Sequence, residues 1–168
     1  MAYSLDEVNQ MSQAEFEATF GAVFEHTPAI AAAAWASRPF ATVAQLHQVM
    51  VTVVGQLTPK AQLDLIRAHP DLGSKAQMAD ASVQEQTGAG LNQLSADEYQ
   101  RFTQLNAAYK ARFGFPFIVA VKGHSKDSIL AAFEQRLQHS MDEERSQALS
   151  EICKIAAFRL HALVSELS

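Results

Sequence analysis

The sequence predicts an all-α fold, a single-domain helical bundle with one short extended segment near residues 115–121. Helix-start signals recur along the chain, and apolar residues repeat at three- and four-residue spacing. Only one run has the composition of a strand. Ser12 with Glu15 opens the series as a capping box, in which hydroxyl and carboxylate satisfy the open amides of a helix start, and Phe16, Phe20, Val23 and Phe24 follow on one face. Thr27-Pro28 and Thr58-Pro59 each place a capping residue before a proline whose missing donor costs nothing at the first helical position. Between them the small-residue run Ala31 to Ala34 suits close helix packing, and Val43, Leu46, Val49, Met50, Val53 and Leu57 repeat at helical spacing. Ser95 with Glu98 starts a further helix carrying Tyr99, Phe102, Leu105 and Tyr109. The run Phe115 to Val121 is strand-like in composition, but a lone run has no partner for a sheet, so it reads as an extended connection. Gly123 to Asp127 ends it and caps the next helix, with Ile129, Phe133 and Leu137 as its apolar face. Ser140 with Glu143 starts the last helix, where Leu149, Ile152, Ile155, Ala156 and Leu163 repeat and the acidic run Asp142 to Glu144 suits the macrodipole.

Composition narrows the function classes. A length of 168 residues fits one domain, residues 1–168, and no repeat or linker divides it. The formal charge of -5 disfavours nucleic acid as a partner. A single cysteine, Cys153, makes neither an internal disulfide nor a cysteine-based metal site and suits the cytoplasm. The longest apolar run, Ala29 to Ala36, is too short to span a membrane, and the first residues lack the features of a signal peptide. The six histidines contain no i, i+4 pair, so no metal is expected, and nucleophile elbow, phosphate loop and Rossmann fingerprint are all missing.

The chemistry concentrates in Ala68-His69-Pro70-Asp71-Leu72-Gly73 and, after a polar interval, in Ser82-Val83-Gln84-Glu85-Gln86. Proline biases the residue before it away from helical geometry, so His69 leaves a helix end at a defined angle and is expected to be exposed. Imidazole moves protons in either direction near neutral pH, and Glu85 can orient it or tune it. Taken alone, a helix-ending surface histidine is the more common case. Ser82, Glu85 and Gln86 lie at i, i+3, i+4, which a helical turn projects from one face as hydroxyl, carboxylate and amide. A further capping box, Ser82 with Glu85, is the stronger reading of that pattern by itself. The interval from Asp71 to about Ala81 lacks periodicity and is expected to wall a site. Arg159 interrupts an apolar helix face and must reach solvent or pair with an anion, either a structural carboxylate or a bound ligand. The backbone of Gly114 to Ile118 can bind an amide-rich ligand, although buried packing is its ordinary explanation.

An ordered set of short motifs runs through the chain: Arg38-Pro39-Phe40, His69-Pro70-Asp71-Leu72, Ser82 with Glu85-Gln86, Ala89-Gly90-Leu91, Leu105-Asn106 with Tyr109, Phe113 to Ile118, and Ile155-Ala156 with Arg159. The set resembles the 2-oxo-4-hydroxy-4-carboxy-5-ureidoimidazoline (OHCU) decarboxylase family of uric acid degradation, which yields (S)-allantoin. That resemblance implies an all-helical homodimer without cofactor that acts on OHCU, with His69 as central catalytic residue and Glu85 and Arg159 as its partners. It further implies that Pro70, Ser82, Gln86 and backbone near Phe117 and Ile118 hold the substrate. Relatives in peroxisomes often carry a targeting tail, and the ending Ser165-Glu166-Leu167-Ser168 is not one, which fits a cytoplasmic form. The alternative from another class is a non-catalytic helical module that binds a ureide or purine metabolite.

Overall fold

The computed structural model describes residues 2–73 and 80–166, and over these the chain is mostly helical, as expected. It divides into two compact units, one made of Met1–Leu65 with Cys153–Ser168 and the other of Ile66–Ile152.

The first unit contains β1 (Tyr3–Ser4), α1 (Leu5–Gln10), α2 (Gln13–Phe20), α3 (Ala29–Ala34), a 3₁₀ turn at Trp35–Ser37, α4 (Val43–Gln56) and most of α5 (Pro59–Arg67). The end of α9 (Met141–Leu163) and β2 (Val164–Ser165) complete it. β1 pairs in parallel with β2, a two-residue ladder that no strand-like run announced. Ser12 and Glu15 form the expected capping box, and Ser4 with Glu7 forms another that the sequence reading passed over. Thr58 caps α5 through its hydroxyl, which accepts from Ala61 N at 3.1 Å. Thr27 does not cap α3: its hydroxyl donates instead to the Glu25 carbonyl at 2.9 Å, and Pro28 takes the cap position in helical geometry. The core face of α4 is Val43, Leu46, Met50 and Val54, so Val54 occupies the position expected of Val53. Helix α3 packs on α2 and α4, with Ala31 and Ala34 buried.

The second unit contains α6 (Asp80–Gly88), α7 (Ala96–Phe113), α8 (Lys126–Arg136) and the first part of α9. Ser95 and Ser125 cap α7 and α8, and Ser140 with Glu143 forms the predicted box ahead of α9. Helix α7 ends at Gly114, whose φ of 78° lies in the left-handed region that a glycine enters without penalty. The chain then runs through residues 115–121 without helix or strand, as the expected connection. Phe115, Phe117 and Ile118 are buried there. Phe117 stacks on Phe133 of α8 at 3.8 Å and meets the Tyr109 ring edge-on at 5.3 Å. Leu137 lies half-buried beyond α8, and the inward stripe of the helix is Ile129, Phe133 and Arg136. On α9 the buried stripe in this unit, Glu144, Ala148, Glu151 and Ile152, likewise includes two charged side chains, Glu144 and Glu151.

Candidate active site

Helix α5 delivers the chain to Arg67, and His69 N donates to Ile66 O at 3.3 Å before Pro70 stops the helical pattern. The expected exposure of His69 is corrected by the structure, where the residue is only 8% exposed. The cause is the turn that follows it. Asn106 Nδ2 on α7 donates to Leu72 O at 2.9 Å, and Gly73 N donates to Gln86 Oε1 on α6 at 3.0 Å. Two buried side chains from different helices therefore hold the turn. Gly73 has a φ of 68°, in the left-handed region that favours glycine, and a Cβ there would fall 2.8 Å from Leu94 Cδ1 and push that side-chain tip aside. Because a backbone N–H can only donate, the Gln86 amide must direct its oxygen at Gly73, which fixes the orientation of that side chain.

His69 and Pro70 line a cleft of about 440 Å³ together with Arg67, Asp71, Lys110, Gly114, Phe115 and Pro116. Arg67 Nε donates to Gly114 O at 3.1 Å, tying the end of α5 to the start of the extended segment. Lys110 pairs with Asp71 Oδ2 at 2.7 Å. The other Asp71 oxygen is buried with no hydrogen-bond partner among the described residues. The site thus sets an imidazole into a wall that also carries both signs of charge.

On α6, Ser82 and Gln86 are buried and Glu85 is half-buried, while Val83, Gln84 and Thr87 are exposed. The trio does share one inward face. The capping-box reading fails, because α6 spans Asp80–Gly88 and Ser82 stands inside it. Of the polar interval expected to wall the site, residues 74–79 lie outside the described residues, whereas Asp71 lines the cleft. Phe117 and Ile118 turn their side chains into the core, at 0% and 3% exposure, so only their backbone can serve a ligand.

Arg159 belongs to the first unit. It is buried, although its neighbour Phe158 is 40% exposed. Its Nη1 donates to Ala22 O and Val23 O at 3.2 Å and to Glu25 Oε2 at 3.1 Å. Glu25 is itself 1% exposed, so the structural carboxylate of the two readings is present. Nearby in the chain, Cys153 has its thiol pushed up by burial, which keeps it protonated, and its carbonyl accepts from His47 Nε2 at 2.8 Å. Among the described residues no three His, Cys, Asp or Glu side chains are placed to hold a metal ion, and no helix is long and apolar enough to cross a membrane.

Sequence reasoning did not place Arg67 or Lys110 in the cleft, Asn106 on the turn after His69, or Glu25 beside Arg159. Asn106 carried a signal: it stands on the α7 stripe Phe102, Leu105, Tyr109 and Phe113, where an apolar residue is expected. Glu25 carried none, since its partner lies 134 residues away.

The model of the OHCU decarboxylase family matches residues 9–161. The chain is 44% identical over 157 residues to a 2-oxo-4-hydroxy-4-carboxy-5-ureidoimidazoline decarboxylase of Haloferax volcanii, covering 94% of each chain. It is also 44% identical over 164 residues to the uric acid degradation bifunctional protein PucL of Bacillus subtilis, covering 98% of this chain and 33% of that one, so it spans about a third of the bifunctional protein. Among solved structures, an (S)-allantoin synthase superposes with a TM-score of 0.76 at 30% identity, covering 96% of this chain and 54% of the other. An OHCU decarboxylase crystallised in the presence of (S)-allantoin superposes with a TM-score of 0.68 at 26% identity, covering 80% and 89%.

Proposed function

Since the chain belongs to the OHCU decarboxylase family, we propose that it is a carboxy-lyase that converts OHCU to (S)-allantoin and carbon dioxide, with His69 as its acid-base catalyst. The observation that carries the chemistry is the buried imidazole of His69 in a cleft wall, on a turn held by Asn106 and Gln86. A catalytic base needs such a fixed mount. In OHCU the carbon that bears the carboxylate adjoins a ring carbon doubly bonded to nitrogen. As the bond to carbon dioxide breaks, its electron pair forms a C=C bond to that ring carbon, the C=N π pair moves to the nitrogen, and the nitrogen takes up a proton. The product of this step is an enol. Its hydroxyl then gives up a proton while the neighbouring ring carbon receives one from a single face, which sets the handedness of allantoin. The substrate carries its own electron sink, so the reading includes no cofactor.

His69 handles the hydroxyl or ring proton in this scheme. Glu85 fixes its tautomer or disfavours the substrate carboxylate by like charge, and Arg159 holds a substrate oxygen as negative charge develops. Pro70, Ser82, Gln86 and the backbone of Phe117 and Ile118 bind the ring and ureido group. A single catalytic domain over residues 1–168, a homodimer and a cytoplasmic location complete the proposal.

The test generates the substrate from urate with its oxidase and hydroxyisourate hydrolase, adds the protein and follows optical activity. Wild-type protein should form (S)-allantoin faster than the racemic background. His69→Ala should stay folded and lose turnover by roughly 10²–10⁴-fold or more. Full activity and unchanged product handedness in that variant would sink the role of His69. Binding of (S)-allantoin by wild-type protein without any turnover would move the chain to the metabolite-binding class.

A further inference from the structure

The second unit holds a buried ionic network that the proposed chemistry does not use. Arg136 is 6% exposed and Glu144 is wholly buried. Arg136 Nε donates to Glu144 Oε1 at 2.8 Å, and the same oxygen accepts from the Tyr109 hydroxyl. The other oxygen meets His139 Nδ1 at 2.8 Å, and because a carboxylate only accepts, Nδ1 carries the proton. Both Glu144 oxygens are thereby engaged. Arg136 has one more bond, from Nη1 to the carbonyl of Ile118, and its guanidinium carbon lies 4.3 Å from the centre of the Phe117 ring.

Stability alone does not account for this arrangement. Buried pairs of this kind are often replaced by apolar residues of similar volume at no loss, since desolvation of the two charges offsets their attraction. Moreover Arg136 Nη2 is buried with no hydrogen-bond partner among the described residues, a further cost. What the arginine achieves is geometric. Residues 115–121 have no ladder to hold them, and the Ile118 carbonyl is anchored by a charge-assisted bond from a side chain that is itself locked.

We propose that Arg136, braced by Glu144, is a positioning residue of the active site: it anchors the Ile118 carbonyl and so fixes the Phe117–Ile118 backbone against which OHCU binds. The inference rests on the functional reading above. It also implies that the Ile118 carbonyl is committed to the protein, so the segment grips substrate through other backbone groups.

The test compares Tyr109→Phe with the triple variant Y109F/R136M/E144L. The first keeps the ring and removes only the phenol, and should retain wild-type KM. The triple variant removes both charges together, so it leaves no lone buried ion and should still unfold cooperatively. Amide hydrogen exchange over residues 115–121 should rise about tenfold or more relative to Y109F, because the segment loses its anchor. The KM for OHCU and the Kd for (S)-allantoin should rise, lowering kcat/KM by about 10²-fold, with the larger share in KM and the pH profile unmoved. A folded triple variant whose segment exchanges no faster overturns the proposal. So does one whose segment loosens while KM and product affinity stay at wild-type values. If the triple variant does not fold, Arg136→Lys makes the same comparison, because an ammonium keeps the charge for Glu144 but lacks the fork that spans both partners. Wild-type protein with neither turnover nor product binding would instead remove the functional reading, and hydrogen exchange would still report whether Arg136 anchors the segment.

Discussion

Two buried arginines, one in each unit, show how the same side chain can be held in different ways. Arg136 uses two nitrogens, each with one close acceptor, and its carboxylate partner is eight residues away. Arg159 places one nitrogen against three acceptors at 3.1–3.2 Å, and its partner Glu25 is 134 residues away. An Nη group has two protons, so three acceptors must share them. The first geometry is that of a strut, with each donor aimed at one partner. The second gathers several acceptors, one of them charged, around a single nitrogen, which offsets the positive charge on that side of the guanidinium and ties the side chain to the Ala22–Glu25 segment.

The largest effect expected from breaking this contrast is at Arg159. Arg159→Ala takes the guanidinium away from the buried Glu25 carboxylate and should cost about 3–5 kcal/mol in urea unfolding. R159M/E25L should recover much of that stability while turnover stays lost, which would separate the proposed catalytic role from the structural one. Recovered turnover would show that the pair is structural only. Asn106→Ala should come next, at about 1–3 kcal/mol, because it leaves the Leu72 carbonyl buried without its donor. If the turn mounts His69, this variant should lower kcat more than a distant substitution of equal stability cost.

Tyr109→Phe sharpens the contrast from the side of the strut. Loss of one buried hydrogen bond should cost about 0.5–1.5 kcal/mol at neutral pH. Burial, and then the Glu144 carboxylate, hold the Tyr109 phenol well above its ordinary value of 10.0. A folded value above the unfolded one means the contribution is fully present below about pH 10 and is lost as pH rises toward the folded value. Wild-type protein should therefore lose stability above pH 10 more steeply than Tyr109→Phe, and equal alkaline limbs would contradict the buried network. The smallest effect belongs to the cleft rim, where Lys110 and Asp71 are 48% and 27% exposed. Lys110→Ala should change stability by about 0–1 kcal/mol, measurable by its decrease with added salt.

Much of the fold was legible because helix signals are local. A capping box spans four residues, and those at Ser12, Ser95 and Ser140 all mark true starts. The errors have specific causes. Ser82 with Glu85 has the spacing of a box but lies inside α6, since the same i, i+3 relation holds anywhere on a helix. Thr27 precedes a helix yet donates backward instead of accepting forward. An apolar scan continued the α8 stripe through Leu137, whereas the structure continues it through Arg136, because a charged residue with a buried partner occupies the inward face as well as leucine does. His69 was named from its motif, but its burial follows from Asn106 and Gln86, which belong to other helices.

The sequence by itself therefore determined the helical class, most helix starts, the extended run at 115–121 and the identity of the histidine motif, all of which depend on neighbours within a few residues. Only the tertiary structure decided which charged side chains are buried and what they hold. That depends on partners brought close by folding, and the free energy of a buried ion is set by those partners and not by the residues beside it in the chain.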